Sequence, residues 1–381
     1  MRIFYICDND LSSQAGDTVH IVEICENLQR LGHGLSLYAP RLGRYNEKHS
    51  FKINYVYSFK KGPERFFIYQ LFLFFVLSRN IISKRPDIIY IRAGWSPVSL
   101  IVSKAFRIAS VTEIQTGDVA GCGKGIKGSI LNFFCRLNLR RSGMVITTTK
   151  ENAELLSEGA GIKKDAIEVI PCGVDTDLFM SMGMEKAKAS LGLRKDCLYI
   201  GYLGSIFDYS NIEDLFKCLP IVLRSVPNVK VLLAGKDETG GYIPGLINEM
   251  GLKEYVVYVG EVAHRTVPVY INAMDLCLQL GKTRPNKGLG DPIKLYEYSA
   301  CGKAVIVCDT YREFVELSGS GIAVDVEDSK ELADSIIALL KDEGRRNELG
   351  EKGRSFVLKD RDWRMLAERT AMVCKRAIET R

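Results

Sequence analysis

The stretch GLGDPIKLYEYSACGKAVIVC, residues 288–308, decides how this chain folds. Its second half reads as a helix, a tight glycine turn and a strand. Leu295, Tyr298 and Ser299 share one helical face with Ile293, and Gly302 supplies the left-handed residue that ends the helix. Residues 304–308 form a continuous apolar run, the pattern of a parallel strand covered on both faces. Glu297 stands inside that helix, where a purely structural position favours Leu or Ala. A carboxylate there is costly unless a hydrogen-bond donor meets it, and the paired hydroxyls of a sugar would serve. Lys282, Arg284, Lys287 and Lys294 fall within thirteen residues, beside a glycine-rich turn and a helix start. Four cations so placed suit a diphosphate.

The rest of the chain repeats the same alternation of strand and helix, which predicts a parallel α/β sheet. One series of strands is expected at 2–7, 35–38, 87–92, 110–114, 144–148 and 168–170, with an amphipathic helix over 18–31 closed by Gly32. A second series is expected at 198–203, 229–234, 256–259, 276–278, 304–307 and 321–324. A chain of 381 residues is long for one core, and two strand series of similar length predict two doubly wound domains. The first residues, MRIFYIC, read as a strand and not as a signal peptide.

The pattern DPIKLYEYSACGKAV, 291–305, resembles the donor-binding motif of the family-four retaining glycosyltransferases of the GT-B fold. PCGVDTDLF, 171–179, is similar to that family's inter-domain linker, with Cys172 where Asn is usual. The resemblance runs nearly the full length. It implies an α/β chain of two Rossmann-like domains facing across a cleft. Residues 1–178 would form an acceptor-side domain, onto which a C-terminal helix at 361–379 packs back. Residues 179–360 would hold the nucleotide-sugar, UDP- or GDP-linked. In that family the glutamate at Glu297 binds ribose, with Ile293 and Lys294 beside it. The activity implied is transfer of a sugar to an acceptor hydroxyl with retention, in polysaccharide, glycolipid or other glycoconjugate synthesis of the cell envelope. No cofactor and no metal are expected.

The same resemblance marks further positions. Gly16 and Asp17 stand where the family has a glycine-rich loop against the donor phosphates, at a helix start where a backbone can approach an anion. His20 and Arg92 are acceptor-side candidates. Gln115 occupies the slot in which a histidine or asparagine approaches the donor sugar. A glutamine can hydrogen-bond a hydroxyl but accepts no proton at neutral pH. With Lys294, Gln115 is the catalytic candidate. The family's phosphate-gripping Arg and Lys are missing from YLGSIFDYSNIEDL, where Ser205 and Asn211 stand instead. Lys236 or the cations of 282–294 are the candidates to replace them.

Charge divides the chain. Residues 30–141 carry 19 basic and 5 acidic side chains, whereas residues 179–381 carry 29 of each. A positive field of that kind attracts an anionic surface, and a lipid-linked acceptor at the cytoplasmic face of a membrane is one source of it. A solvated face explains it equally well. No stretch is expected to span a membrane. The run RFFIYQLFLFFVL, 65–77, holds five Phe and one Tyr between basic flanks and reads first as a core helix, with an interfacial helix as the alternative.

Other chemistries are poorly served. Eleven scattered cysteines and four histidines make neither a disulfide framework nor a zinc site, which fits a reducing cytoplasm. GCGKG, 121–125, lacks the spacing and the Ser/Thr of a P-loop. Nucleic acid is not an expected partner, since no recognition helix or aromatic RNA-binding pattern accompanies the basic residues. Two rivals remain: a nucleotide-sugar epimerase on the same fold, and a domain that binds nucleotide or glycan without turnover.

Overall fold

The computed structural model describes residues 1–12, 15–43, 48–59, 62, 64–92, 96–115, 126–281 and 290–380. The chain divides into two compact units. One comprises Met1–Cys172, Arg284–Asp291 and Trp363–Arg381, the other Gly173–Thr283 and Pro292–Asp362.

The first unit is built on seven strands: β1 (Arg2–Ile6), β2 (Gly34–Pro40), β3 (Lys52–Val56), β4 (Ile88–Arg92), β5 (Ala109–Ile114), β6 (Met144–Thr147) and β7 (Ile167–Val169). They pair in parallel in the order β3-β2-β1-β4-β5-β6-β7. All five residues of β4 and all six of β5 are buried, as strands covered on both faces must be. The second unit carries β8 (Leu198–Leu203), β9 (Val229–Ala234), β10 (Val256–Tyr258), β11 (Leu276–Gln279), β12 (Val305–Cys308) and β13 (Gly321–Val324). These too are parallel, in the order β10-β9-β8-β11-β12-β13. In both sheets the chain runs one way from the first strand, then returns to its other side. The reversal leaves a crevice beyond the carboxyl ends of β1 and β4 in one unit and of β8 and β11 in the other, the position where open α/β sheets hold ligands.

The GT-B class and all twelve expected strands are present, with ends shifted by a residue or two. The thirteenth, β3, was not expected. It is an edge strand with one buried residue, so its sequence lacks the apolar run that marks the others.

Two expectations about the aromatic run need correction. The helix Arg65–Ser83 has nineteen residues and is, by length and composition, long and apolar enough to cross a membrane, yet only 28% of its most apolar window is buried. Nor is it a core helix all round. Tyr69, Leu73, Leu77 and Ile81 pack into the core against Phe4, Tyr38 and Ile89, while Phe67, Leu71, Phe75 and Ile82 are exposed. Its buried stripe recurs every four residues, and the exposed aromatic side chains lie away from it.

The last helix, Trp363–Glu379, belongs to the first unit. Its face of Trp363, Leu366, Ala367, Thr370, Val373, Cys374 and Ala377 is buried against the helix Gly16–Arg30 and against β5 and β6.

Candidate functional site

In the second unit, the turn after β8 is shaped by two glycines. Gly204 has φ +108°, and a Cβ at Gly235 would lie 1.9 Å from the Gly204 carbonyl oxygen, so the turns after β8 and β9 can meet only without side chains. The helix Ile293–Ala300 is pinned to this turn from behind. The backbone N–H of Leu203 donates to Tyr298 Oη at 2.8 Å, and Tyr298 is fully buried. That anchor fixes where the start of the helix lies. The Lys294 ammonium sits 3.9 Å from the centre of the Tyr202 ring, a cation–π contact. A Cβ on Gly204 would come within 3.1 Å of Lys294 Nζ. A lysine ammonium from the helix 293–300 thus stands against Gly204, beside the half-buried Ser205.

Glu297 follows Lys294 by three residues, on the same side of the helix. It is 7% exposed, and its Oε1 lies 2.7 Å from His264 Nε2. His264 opens a short turn, His264–Thr266, and its ring is tilted against Phe179 with centroids 5.3 Å apart. Nothing in the sequence pointed to His264, which is 33 residues from its partner. Lys236 is not part of this group in the same way. It is half exposed and paired with Glu238 at 2.6 Å. Ile293, half-buried, opens the helix. Lys282, Arg284 and Lys287 lie outside the described residues, as does 121–125.

In the first unit the candidates gather around a buried carboxylate that the sequence analysis passed over. Glu113, on β5, is 1% exposed. Tyr90 Oη donates to it at 2.7 Å, Arg92 at the end of β4 donates to its other oxygen, and His20 Nε2 lies 2.7 Å from that oxygen. The His20 contact is ionic in distance without the alignment of a good hydrogen bond. Burial alone would raise the Glu113 carboxyl, but the Arg92 guanidinium and His20 outweigh it and hold it down at about 2. Burial lowers His20, with Glu113 opposing. The signal for Glu113 was in the sequence, a lone charge in a strand otherwise free of it, and is akin to the one that singled out Glu297.

From His20 the group extends to the loop ends. His20 Nδ1 is 3.6 Å from Cys172 Sγ, and the Gln115 side-chain amide donates to that sulfur at 3.8 Å. The Gln115 carbonyl accepts from Thr148 Oγ1 and Asn152 Nδ2, each at 3.0 Å. Gln115, His20 and Arg92 are thus brought together at the carboxyl ends of β4 and β5. Gly16 and Asp17 open the helix after β1, where Asp17 accepts from Asn9 Nδ2 at 2.6 Å and from the backbone N–H of Thr18.

Comparison with known proteins follows the same division. A family described as glycosyl transferases group 1 matches residues 183–356, and one described as glycosyltransferase family 4 matches residues 15–178. The chain is 24% identical over 282 residues to an uncharacterized glycosyltransferase of Methanocaldococcus jannaschii, covering 72% of this chain and 70% of that protein. It is 27% identical over 216 residues to a GDP-mannose-dependent alpha-(1-6)-phosphatidylinositol monomannoside mannosyltransferase of Mycobacterium tuberculosis, covering 54% of this chain and 55% of that protein. The match therefore spans about half the length of the mannosyltransferase. Among solved structures, sucrose-phosphate synthase from Thermosynechococcus elongatus superposes with a TM-score of 0.82 at 20% identity over the whole of both chains. The Anabaena protein HepE in complex with UDP-glucose superposes at 0.76 and 17% identity, over 98% of this chain and 99% of that one.

Proposed function

This chain belongs to the family-four glycosyltransferases, whose two family patterns cover all but its ends and a short joint, and on that footing we propose that it transfers a sugar from a nucleotide-sugar to an acceptor hydroxyl with retention. The observation that carries the reading is the placement of Lys294 against Gly204, with Glu297 one helical turn further on. A nucleoside diphosphate presents two matching features, a doubly anionic phosphate pair and a ribose diol. The ammonium answers the first and the carboxylate the second. As the bond from the anomeric carbon to the diphosphate breaks, negative charge grows on the departing oxygens. Lys294, already held in place by the Tyr202 ring, stabilises that charge with no reorganisation. The acceptor hydroxyl then attacks the face the diphosphate leaves and passes its proton to the departing phosphate oxygen. No metal enters this scheme, because Lys294 carries the charge at the leaving group.

The test is a binding comparison. Lys294→Ala should weaken UDP or GDP by about 1.5–3 kcal/mol and leave uridine or guanosine nearly unchanged, as read by calorimetry. Equal losses for nucleoside and diphosphate would show that Lys294 does not meet the phosphates.

We further propose that the acceptor is lipid-linked and is met at the cytoplasmic face of an anionic membrane, with the enzyme bound peripherally. The support is the basic excess of residues 30–141 together with the uncovered aromatic side of the helix Arg65–Ser83. Two Corynebacterium and Mycobacterium relatives act, by their names, on phosphatidylinositol mannosides.

A further inference from the structure

We propose that His264 is a positioning residue for nucleotide binding: it holds Glu297 in the orientation in which the carboxylate meets the ribose hydroxyls. This rests on the donor reading above and adds a residue to it.

A glutamate on a helix has three side-chain torsions, and a carboxylate that must accept from two adjacent hydroxyls has to be held in one setting of them. Tyr298 fixes the helix, but it leaves the Glu297 side chain to be ordered separately. His264 does this by engaging Oε1 at 2.7 Å, which leaves Oε2 to the ligand. The imidazole is itself constrained. Its ring rests against Phe179, whose carbonyl oxygen accepts from Arg354 at 2.6 Å. The same guanidinium nitrogen of Arg354 donates to the carbonyl of Ala300, at the end of the helix that carries Glu297, at 2.7 Å. The ring and the helix it serves are thus referenced to one guanidinium. Side-chain ordering made in advance is not charged against binding when the ligand arrives.

The experiment compares ribose-bearing with ribose-deficient ligands on full-length protein, by calorimetry. UDP, GDP, ADP and CDP are screened first, and the tightest is then compared with its 2′,3′-dideoxy analogue. His264→Ala should weaken the ribonucleotide roughly 3- to 10-fold while leaving the dideoxy analogue unchanged. His264→Gln, which keeps a donor, should recover most of the loss. Combined with Glu297→Gln, His264→Ala should add almost nothing, because both changes remove one arrangement. A residue that merely stabilised the fold would weaken both ligands alike. If Glu297→Gln separates the two ligands but His264→Ala does not, the inference about His264 is overturned and the ribose reading stands. If Glu297→Gln does not separate them, or none of the four nucleotides binds, the ribose reading falls and the inference with it.

Discussion

Two buried or nearly buried acids, one in each unit, show how much depends on what a carboxylate is given for company. Glu297 meets one histidine, His264, and on the reading proposed above keeps its second oxygen for the ribose. Glu113 meets Arg92, Tyr90 and His20 and is fully enclosed. Its carboxyl is held at about 2, below the usual range near 4.5, and His20 is also lowered. Both groups therefore release protons more readily folded than unfolded. Their contribution is complete above the ordinary values, near 4.5 and 6.5, and is lost as pH falls toward the folded ones. Melting temperature should drop as pH is lowered from about 6 to about 3. Glu113→Gln should melt lower at neutral pH by the equivalent of about 3–5 kcal/mol, since Arg92 is left buried without its counter-ion. The variant should also lose less on acidification below about pH 4.5 than the parent does. A parent and variant with parallel pH profiles would remove Glu113 as the origin of the acid sensitivity. At this scale the sequence was half legible. An acid in an apolar element is visible in a string of letters, and both were open to that reading. Their partners were not, because His264 and His20 reach them across 33 and 93 residues of chain.

At the scale of elements, the buried strands announced themselves through continuous apolar runs, whereas β3 and the outer side of the helix Arg65–Ser83 did not. An edge strand buries too little to show a run. A helix with large apolar residues on its open side as well as its covered one gives little hint of which side is covered. The structure resolves it: Phe67, Leu71, Phe72, Phe74 and Phe75 are exposed, and Tyr57 extends the patch by packing edge-on to Phe72 at 5.0 Å. Aromatic rings in such numbers favour the boundary between headgroups and acyl chains, and neighbouring cations contribute about 1 kcal/mol each at an anionic leaflet. Co-sedimentation with liposomes should rise with anionic lipid content and fall with added salt. Replacing Phe67, Leu71 and Phe75 by Ser should reduce recovery far more than it lowers the melting temperature, because those side chains lie outside the buried cluster. Recovery that ignores both lipid charge and these substitutions would leave the basic face as a solubilising surface.

For the whole molecule, the two units differ in how their chain is assembled. The second is drawn from residues 173–362 except for 284–291, whereas the first needs residues from the far end of the sequence. The Trp363 ring stands edge-on to His20 at 5.1 Å, and the rest of its helix covers β5 and β6. Residues 1–172 expressed alone should therefore fail to give a cooperative melting transition, and a peptide of residues 363–380 added in trans should restore one. A sharp transition from 1–172 by itself would show that the last helix is an ornament to the first unit and not a wall of it. During translation the same arrangement imposes a wait. The ribosome finishes the first sheet long before it emits the helix that closes it, and roughly 190 residues lie between. At ordinary elongation rates that interval lasts roughly 10–40 s. For that time the nascent first unit presents an open apolar flank, making it a client for holdase chaperones on every round of synthesis.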